Sequence, residues 1–151
     1  MSSHTVTVRR PAREVFDLFV RQLGRWWPRE FTWSQDVLQE IGIEARVDGL
    51  CYEIGPHGFH CDWGRVLTLE PPARLTIAWQ ISPRREPVPD PARASEVDIR
   101  FVASGERKTV VTVDHRNFER HGDGADGYRE AMNAEQGWPY ILRRYAEIAT
   151  Q

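Results

Sequence analysis

Glu135 is the residue whose surroundings packing alone explains least well. It falls ~40° from the middle of an apolar helical stripe made by Tyr128, Ala131, Met132, Trp138, Leu142, Tyr145 and Ala149. A carboxylate so placed faces a wet cavity, meets a partner, or leans out to solvent beside an arginine, because burying it bare is costly. Inside a cavity it would anchor a ligand or act as an acid or base. His115 shares a strand face with Val111 and Val113. An imidazole there can hydrogen-bond a ligand, move protons together with Glu135, or serve as a structural histidine bonded to a backbone carbonyl.

Aromatic residues form a second constellation. Tyr52, Trp63, Trp79 and Phe101 fall on inward strand faces by alternation, and Trp138 lies on the apolar side of the last helix. Six tryptophans are many for 151 residues. The set reads as an aromatic-lined pocket for a flat or greasy ligand, with plain core packing as the alternative. Trp26, Trp27 and Trp33 would close one end of it, or pack short helices onto the sheet edge. His57, His60, Cys61 and Asp62 are metal-ligand residue types. Alternation sends His60 and Cys61 to opposite faces, and no closed ligand set has the usual spacing, so no metal is expected. His60 is instead expected opposite Glu53 as an exposed pair. There is no GxSxG, phosphate loop or dinucleotide fingerprint, no cofactor is called for, and the catalytic residues, if any, stay open.

These residues must be positioned by elements that the hydrophobic period marks out. Val6 and Val8 alternate in a short first strand. Pro11 suits a helix start, and Val15, Phe16, Phe19 and Leu23 follow at helical spacing, so residues 11–23 form an amphipathic helix. Gly24 interrupts it, and Arg25-Trp26-Trp27-Pro28 makes a second short helical turn. The period then changes to two, through Ile41 and Ile43, then Leu50, Tyr52 and Ile54, then Phe59, Cys61 and Trp63 running on to Leu69. Further strands follow at Leu75 to Ile81, Val97 to Phe101 and Val111 to His115. This is an antiparallel meander with one buried face. In a tight hairpin around Gly55-Pro56-His57-Gly58, Ile54 sits opposite Phe59, Tyr52 opposite Cys61 and Leu50 opposite Trp63. Cys51 then points away from Cys61 and no disulfide forms. Residues 82–95, with four prolines, read as a mobile loop. From Tyr128 to Ala149 the pattern is helical, with a kink expected at Pro139. Only this long last helix can cover the apolar face of the sheet.

The composition is that of one globular α+β domain. Apolar residues are 40%, charged residues 28% and the net charge is −2, which gives no pull toward nucleic acid. No apolar run approaches the ~20 residues of a membrane span, and no signal region opens the chain, so a cytoplasmic protein is expected.

The order of elements, with VTVRRPAREVFDLFV before Trp26-Trp27-Pro28, Gly64 to Pro72 running into Leu75-Thr-Ile-Ala-Trp79, Val111 to His115, and Gly137-Trp138 before Leu142 and Tyr145, resembles the START-like (SRPBCC, Bet v 1-like) superfamily. Within it the chain is similar to the group related to the C-terminal domain of the activator of the heat-shock-protein-ninety ATPase. The resemblance implies a single domain over residues 1–151 with the helix-grip fold: a curved antiparallel sheet of six to seven strands around a long C-terminal helix, and two short helices after strand one. It implies a cavity between sheet and helix. Three functions follow in order. The first is binding of a small hydrophobic molecule, a lipid included, or an aromatic one, by Tyr52, Trp63, Trp79, Phe101, His115, Glu135 and Trp138. The second is a cyclase or hydrolase using Glu135 and His115. The third is a co-chaperone-like regulator of a chaperone ATPase, ranked last because the activators proper carry a separate N-terminal domain for which 151 residues leave no room. An exposed edge strand could pair across a homodimer.

Overall fold

The computed structural model describes residues 3–150. Seven strands form one antiparallel sheet: β1 (Ser3–Val8), β2 (Glu40–Ile43), β3 (Leu50–Ile54), β4 (His60–Glu70), β5 (Arg74–Trp79), β6 (Ser95–Ala103) and β7 (Thr109–Arg116). Their order is β1-β7-β6-β5-β4-β3-β2, so the chain runs as a meander from β2 to β7 and β1 closes the far edge. The sheet curls around the C-terminal helical segment in the helix-grip arrangement that the resemblance implies.

The inward face follows from the pairing. Ile77 pairs with Val97, Val97 with His115, and Ile99 with both Leu75 and Val113, and all of these are buried. The outward face is polar. There Asp98, itself buried, accepts hydrogen bonds from Arg74, Thr76 and Arg100. Burial pushes its carboxyl up, but these three bonds outweigh that and hold it below the usual range.

Helix α1 (Ala12–Arg21) starts after Pro11 and buries Val15, Phe16, Leu18, Phe19 and Val20. The expected second helical turn is split. One 3₁₀ turn spans Leu23–Arg25 and another Arg29–Phe31, with Trp26 and Trp27 between them. Trp26 is locked into the core by donating its N–H to the Leu18 carbonyl.

Three expectations are corrected. The hairpin joining β3 and β4 is one residue longer than the tight turn assumed, because Phe59 stays in the connection and Ile54 pairs with His60, Glu53 with Cys61 and Tyr52 with Asp62. A one-residue slip inverts a strand, so Cys51 and Glu53 are buried while Leu50, Tyr52 and Ile54 are only half-buried. Both thiols are buried and free; they sit on different rungs, Cys51 against Gly64 and Cys61 against Glu53. Second, the proline-rich loop is laid down on the protein. Gln80 donates its side-chain N–H groups to the carbonyls of Val88 and Pro89, Ile81 bridges to Pro87, and Trp33 donates its indole N–H to the Arg85 carbonyl.

Third, the last helix is broken before Pro139, over residues 134–137. Helix α2 (Ala125–Asn133) and helix α3 (Trp138–Thr150) flank a non-helical turn. Pro139 is the second residue of α3, where a missing N–H costs nothing. The break is set at Gly137. A β-carbon there would stand 2.2 Å from the Met132 carbonyl oxygen. Tyr145 of α3 packs edge-on against Phe19 and Trp26, tying α3 to α1.

Candidate functional site

Between the β2–β5 half of the sheet and α2 lies a cavity of about 530 Å³. Its sheet-side wall is aromatic. The rings of Trp27, Trp63 and Trp79 touch one another at centroid distances of 5.9 Å (Trp27 to Trp63), 5.7 Å (Trp63 to Trp79) and 6.2 Å (Trp27 to Trp79). Strand alternation puts Trp63 and Trp79 there, while Trp27 arrives from the segment between the two 3₁₀ turns. Opposite stand Tyr128, Met132 and Ile141, and Phe31, Trp33 and Arg85 contribute to the lining from the loops.

Polar groups on this wall are few. Trp79 donates its indole N–H to the Tyr128 oxygen at 2.7 Å, and that hydroxyl donates to the Ile81 carbonyl at 3.0 Å. Burial pushes the Tyr128 hydroxyl up to about 12, so it stays protonated and donating. Glu53 also lines the cavity and is 0% exposed. Its carboxylate accepts the backbone N–H of Ser34 at 2.7 Å and of Trp33 at 3.2 Å. The indole N–H of Trp63 is buried with no hydrogen-bond partner.

Of the seven residues singled out by sequence, Trp63 and Trp79 line the cavity. Phe101 is core, edge-on to Phe16 and Phe19 of α1. Trp138 and His115 lie behind Trp79, both 1% exposed. Tyr52 is turned outward by the register slip; its hydroxyl donates to Glu40 and its ring stacks on His60. Glu135 falls in the break between α2 and α3. Its side chain is 76% exposed and stands 4.0 Å from Arg143. The helical phase that aimed it inward assumed a continuous helix. The expected meeting of Glu135 and His115 therefore does not occur. Nor does His60 pair with Glu53; it pairs with Asp62 at 2.7 Å.

His115 belongs to a buried chain of hydrogen bonds. Trp138 donates to its Nδ1 at 3.0 Å, its Nε2 meets Ser95 Oγ at 2.7 Å, and Ser95 Oγ meets His121 Nε2 at 2.8 Å. Burial drives His115 down to about 3, with the neighbouring His121 adding to the shift, and burial lowers His121 as well. Both rings are neutral at physiological pH. Sequence reading missed Ser95, His121 and Glu53. Ser95 was findable, since it lies two residues before Val97 in the same inward phase. Glu53 was not, because its face depended on the length of one turn. Among the described residues no three His, Cys, Asp or Glu side chains gather as a metal site, and no helix is long and apolar enough to cross a membrane.

Comparison with known proteins places this geometry. The family described as activator of Hsp90 ATPase homolog 1-like protein matches residues 9–150. No curated protein matches the chain closely enough to count. Among solved structures, one described as "an anthrahydroquino-Gama-pyrone synthase Txn09 complexed with SUM" is 32% identical, covering 97% of this chain and 94% of its own, with a TM-score of 0.69. The self-sacrificing resistance protein CalC from Micromonospora echinospora is 28% identical over 97% of this chain and 92% of its own, with a TM-score of 0.66. Protein NE0264 from Nitrosomonas europaea, 15% identical over 97% and 93% with a TM-score of 0.60, shares the fold.

Proposed function

The chain belongs to the activator of Hsp90 ATPase homolog 1-like family, with a START-like (SRPBCC, Bet v 1-like) fold, and from that premise we propose that it binds a small flat hydrophobic or aromatic molecule in the cavity between sheet and C-terminal helices. The observation that carries this is the contiguous wall of Trp27, Trp63 and Trp79 facing about 530 Å³ of space. An aryl compound burying about 200 Å² of apolar surface there gains about 5 kcal/mol, at ~25 cal/mol per Å², before the costs of immobilisation. Ala131 is an exposed residue of α2 that lines the same cavity. The variant Ala131→Trp fills the cavity from its surface side without touching the core. Titration with 2-ethylnaphthalene should give saturable binding to the natural chain and at least tenfold weaker binding to the variant. Equal affinities would refute the reading.

A second reading is favoured by the 32% identical relative, which is described as an anthrahydroquino-Gama-pyrone synthase. In it the cavity turns over its occupant. The pair expected from sequence cannot serve, because both His115 nitrogens are engaged behind the wall and Glu135 is on the surface. Glu53 is the carboxylate on the cavity wall and is the acid or base this reading would need. Product formation from an aromatic polyketide-like substrate, lost in Glu53→Gln, is its test.

A further inference from the structure

The cavity lining carries two charged side chains, and they are placed differently. Glu53 has no exposed surface, and its carboxylate is held by the backbone amides of Trp33 and Ser34. Arg85 is exposed and lines the cavity from the proline-rich loop. Its guanidinium lies over the ring of Phe31, another lining residue, 5.9 Å from the centroid. Among the described residues that guanidinium makes no hydrogen bond and no ion pair. Glu30, which lines the adjoining groove with it, accepts the Tyr140 hydroxyl instead.

The backbone under Arg85 is fixed. Its φ is 64°, its N–H donates to the Ser82 carbonyl at 2.9 Å, and its carbonyl accepts the Trp33 indole N–H at 2.8 Å. The Ser82 hydroxyl accepts the backbone N–H groups of Arg84 and Glu86, and Ser82 donates its own N–H to the Glu86 carbonyl. The left-handed region is disfavoured for a residue with a β-carbon, and these bonds impose it. The turn thus sets a cation at the rim of an apolar space. On the helix side, burial raises the Tyr128 hydroxyl, while the Trp79 bond and the Arg85 charge pull it the other way. The field of the guanidinium therefore reaches across the cavity.

A charge beside low-dielectric walls acts more strongly on an occupant than the same charge in open water. The guanidinium fork also matches a carboxylate with two parallel hydrogen bonds. We propose that Arg85 is a specificity-determining residue of this cavity and that the occupant is an aromatic acid: its rings lie on the wall of Trp27, Trp63 and Trp79, and its carboxylate meets the Arg85 guanidinium at the rim. The inference rests on the reading of the cavity as an aromatic-binding site and adds the charge of the occupant. The buried charge of Glu53 repels an anion set along β3, which leaves the rim beside Arg85 as its place. An aryl cation would be repelled there, and a neutral aryl compound would gain nothing from the guanidinium.

The test is a calorimetric titration at neutral pH with 2-ethylnaphthalene and three probes that differ in charge: 2-naphthylacetate, 2-naphthylacetamide and 2-(2-naphthyl)ethylamine. The acetate should bind about fivefold tighter than the acetamide at ~20 mM salt, the range of a half-exposed ion pair, and the amine more weakly than either. At ~0.5 M salt the advantage of the acetate should shrink to about twofold or less. Arg85→Gln should bring the ratio of acetate to acetamide affinity to about one. Arg84→Gln is the control. It removes the same charge from the same loop, but Arg84 does not line the cavity, so the ratio should stay near that of the natural chain. The hydrogen bonds described for both residues are made by their backbone atoms, so neither substitution takes one from the fold. If no probe binds, the cavity reading itself fails and the aromatic acid with it. If 2-ethylnaphthalene binds but the acetate is no tighter than the acetamide, or Arg85→Gln keeps the ratio, or Arg84→Gln abolishes it equally, the cavity reading survives and the role of Arg85 is wrong.

Discussion

Trp138 donates its indole N–H to Nδ1 of His115 across 3.0 Å, and that bond fixes the histidine's tautomer. With Nδ1 accepting, the imidazole proton sits on Nε2 and is donated to Ser95 Oγ. The serine hydroxyl then donates to Nε2 of His121, which also accepts the backbone N–H of Ser95 at 3.3 Å. From Trp138 to Ser95 each donor has one acceptor, and the proton this leaves on Nδ1 of His121 is buried without one. Helix α3, strands β6 and β7 and the turn before α2 are joined through one serine.

The first consequence is a pH dependence of stability. His115 has its folded-state value lowered to about 3, and His121 is lowered in the same direction. In the unfolded chain both titrate near ~6.5. Below that value the unfolded state takes up protons that the folded state refuses, so the stabilisation present above it is lost as pH falls. The slope is about 1.4 kcal/mol per pH unit for each histidine in this regime. Urea unfolding from about pH 7.5 down to about pH 4 should show stability dropping steadily below about pH 6.5. His115→Asn should reduce the slope by about one proton. A flat profile would mean that the rings are not held neutral.

Ser95→Ala tests the same line from its centre. It leaves the Nε2–H of His115 without an acceptor and removes the hydroxyl donor from Nε2 of His121, whose Nδ1 is already buried and unpaired. Unsatisfied buried groups cost about 1–3 kcal/mol each, so a loss of about 2–4 kcal/mol in urea unfolding is expected. A loss under about 0.5 kcal/mol would show that water reaches these nitrogens.

How far the sequence carried is best judged residue by residue. Strand alternation on β5, β6 and β7 put Trp79, Phe101 and His115 on the inner face, because strict period-two patterns leave a strand one way to lie. It failed on β3, where one additional turn residue, Phe59, reverses the strand and exchanges Tyr52 for Glu53. Nothing local distinguishes the two turns, since the left-handed His57 (φ 60°) that shapes the longer one is not a residue type that announces it. Helical phase likewise placed Trp138 and Leu142 inside but misplaced Glu135. A phase persists only through unbroken helix, and the break at Gly137, two residues before the expected kink, ended it early. The seven-strand sheet and its C-terminal cover were legible from pattern. Depth within the core was not, because Phe101 and His115 share the inner face with Trp79, and Trp138 packs on it from α3, yet these three lie beyond the cavity.

These placements predict which substitutions leave the cavity alone. Tyr52→Phe removes a surface bond to Glu40 and Glu135→Gln a loose pair with Arg143. Each should change stability by less than about 0.5 kcal/mol and leave 2-ethylnaphthalene affinity as it was. Trp79→Phe should weaken the same probe and also destabilise the fold by about 1–3 kcal/mol, because it strips Tyr128 of a hydrogen bond and the wall of one of its three indoles. Parallel calorimetry and thermal melts on the three variants would check the contrast. A drop in probe affinity in either surface variant would place that residue nearer the cavity than described.

The break between α2 and α3 shapes the cavity, and Gly137 decides it. A methyl group at this position would stand 2.2 Å from the Met132 carbonyl oxygen and 2.6 Å from that of Ala131, both backbone atoms that cannot yield by rotating a side chain. Gly137→Ala must therefore reopen the turn, at a cost of about 2 kcal/mol or more. Because Ala131, Met132 and Gln136 line the cavity around it, the probe should also bind less tightly. Gly127 is the control. It lies inside α2, lines the same cavity, and a β-carbon there would meet nothing within 4 Å. Gly127→Ala gains helix propensity without a clash and should stabilise by about 0.5–1 kcal/mol. Thermal melts of the two variants should thus move in opposite directions, and a Gly137→Ala protein as stable as the natural chain would show that the break is set by some other residue.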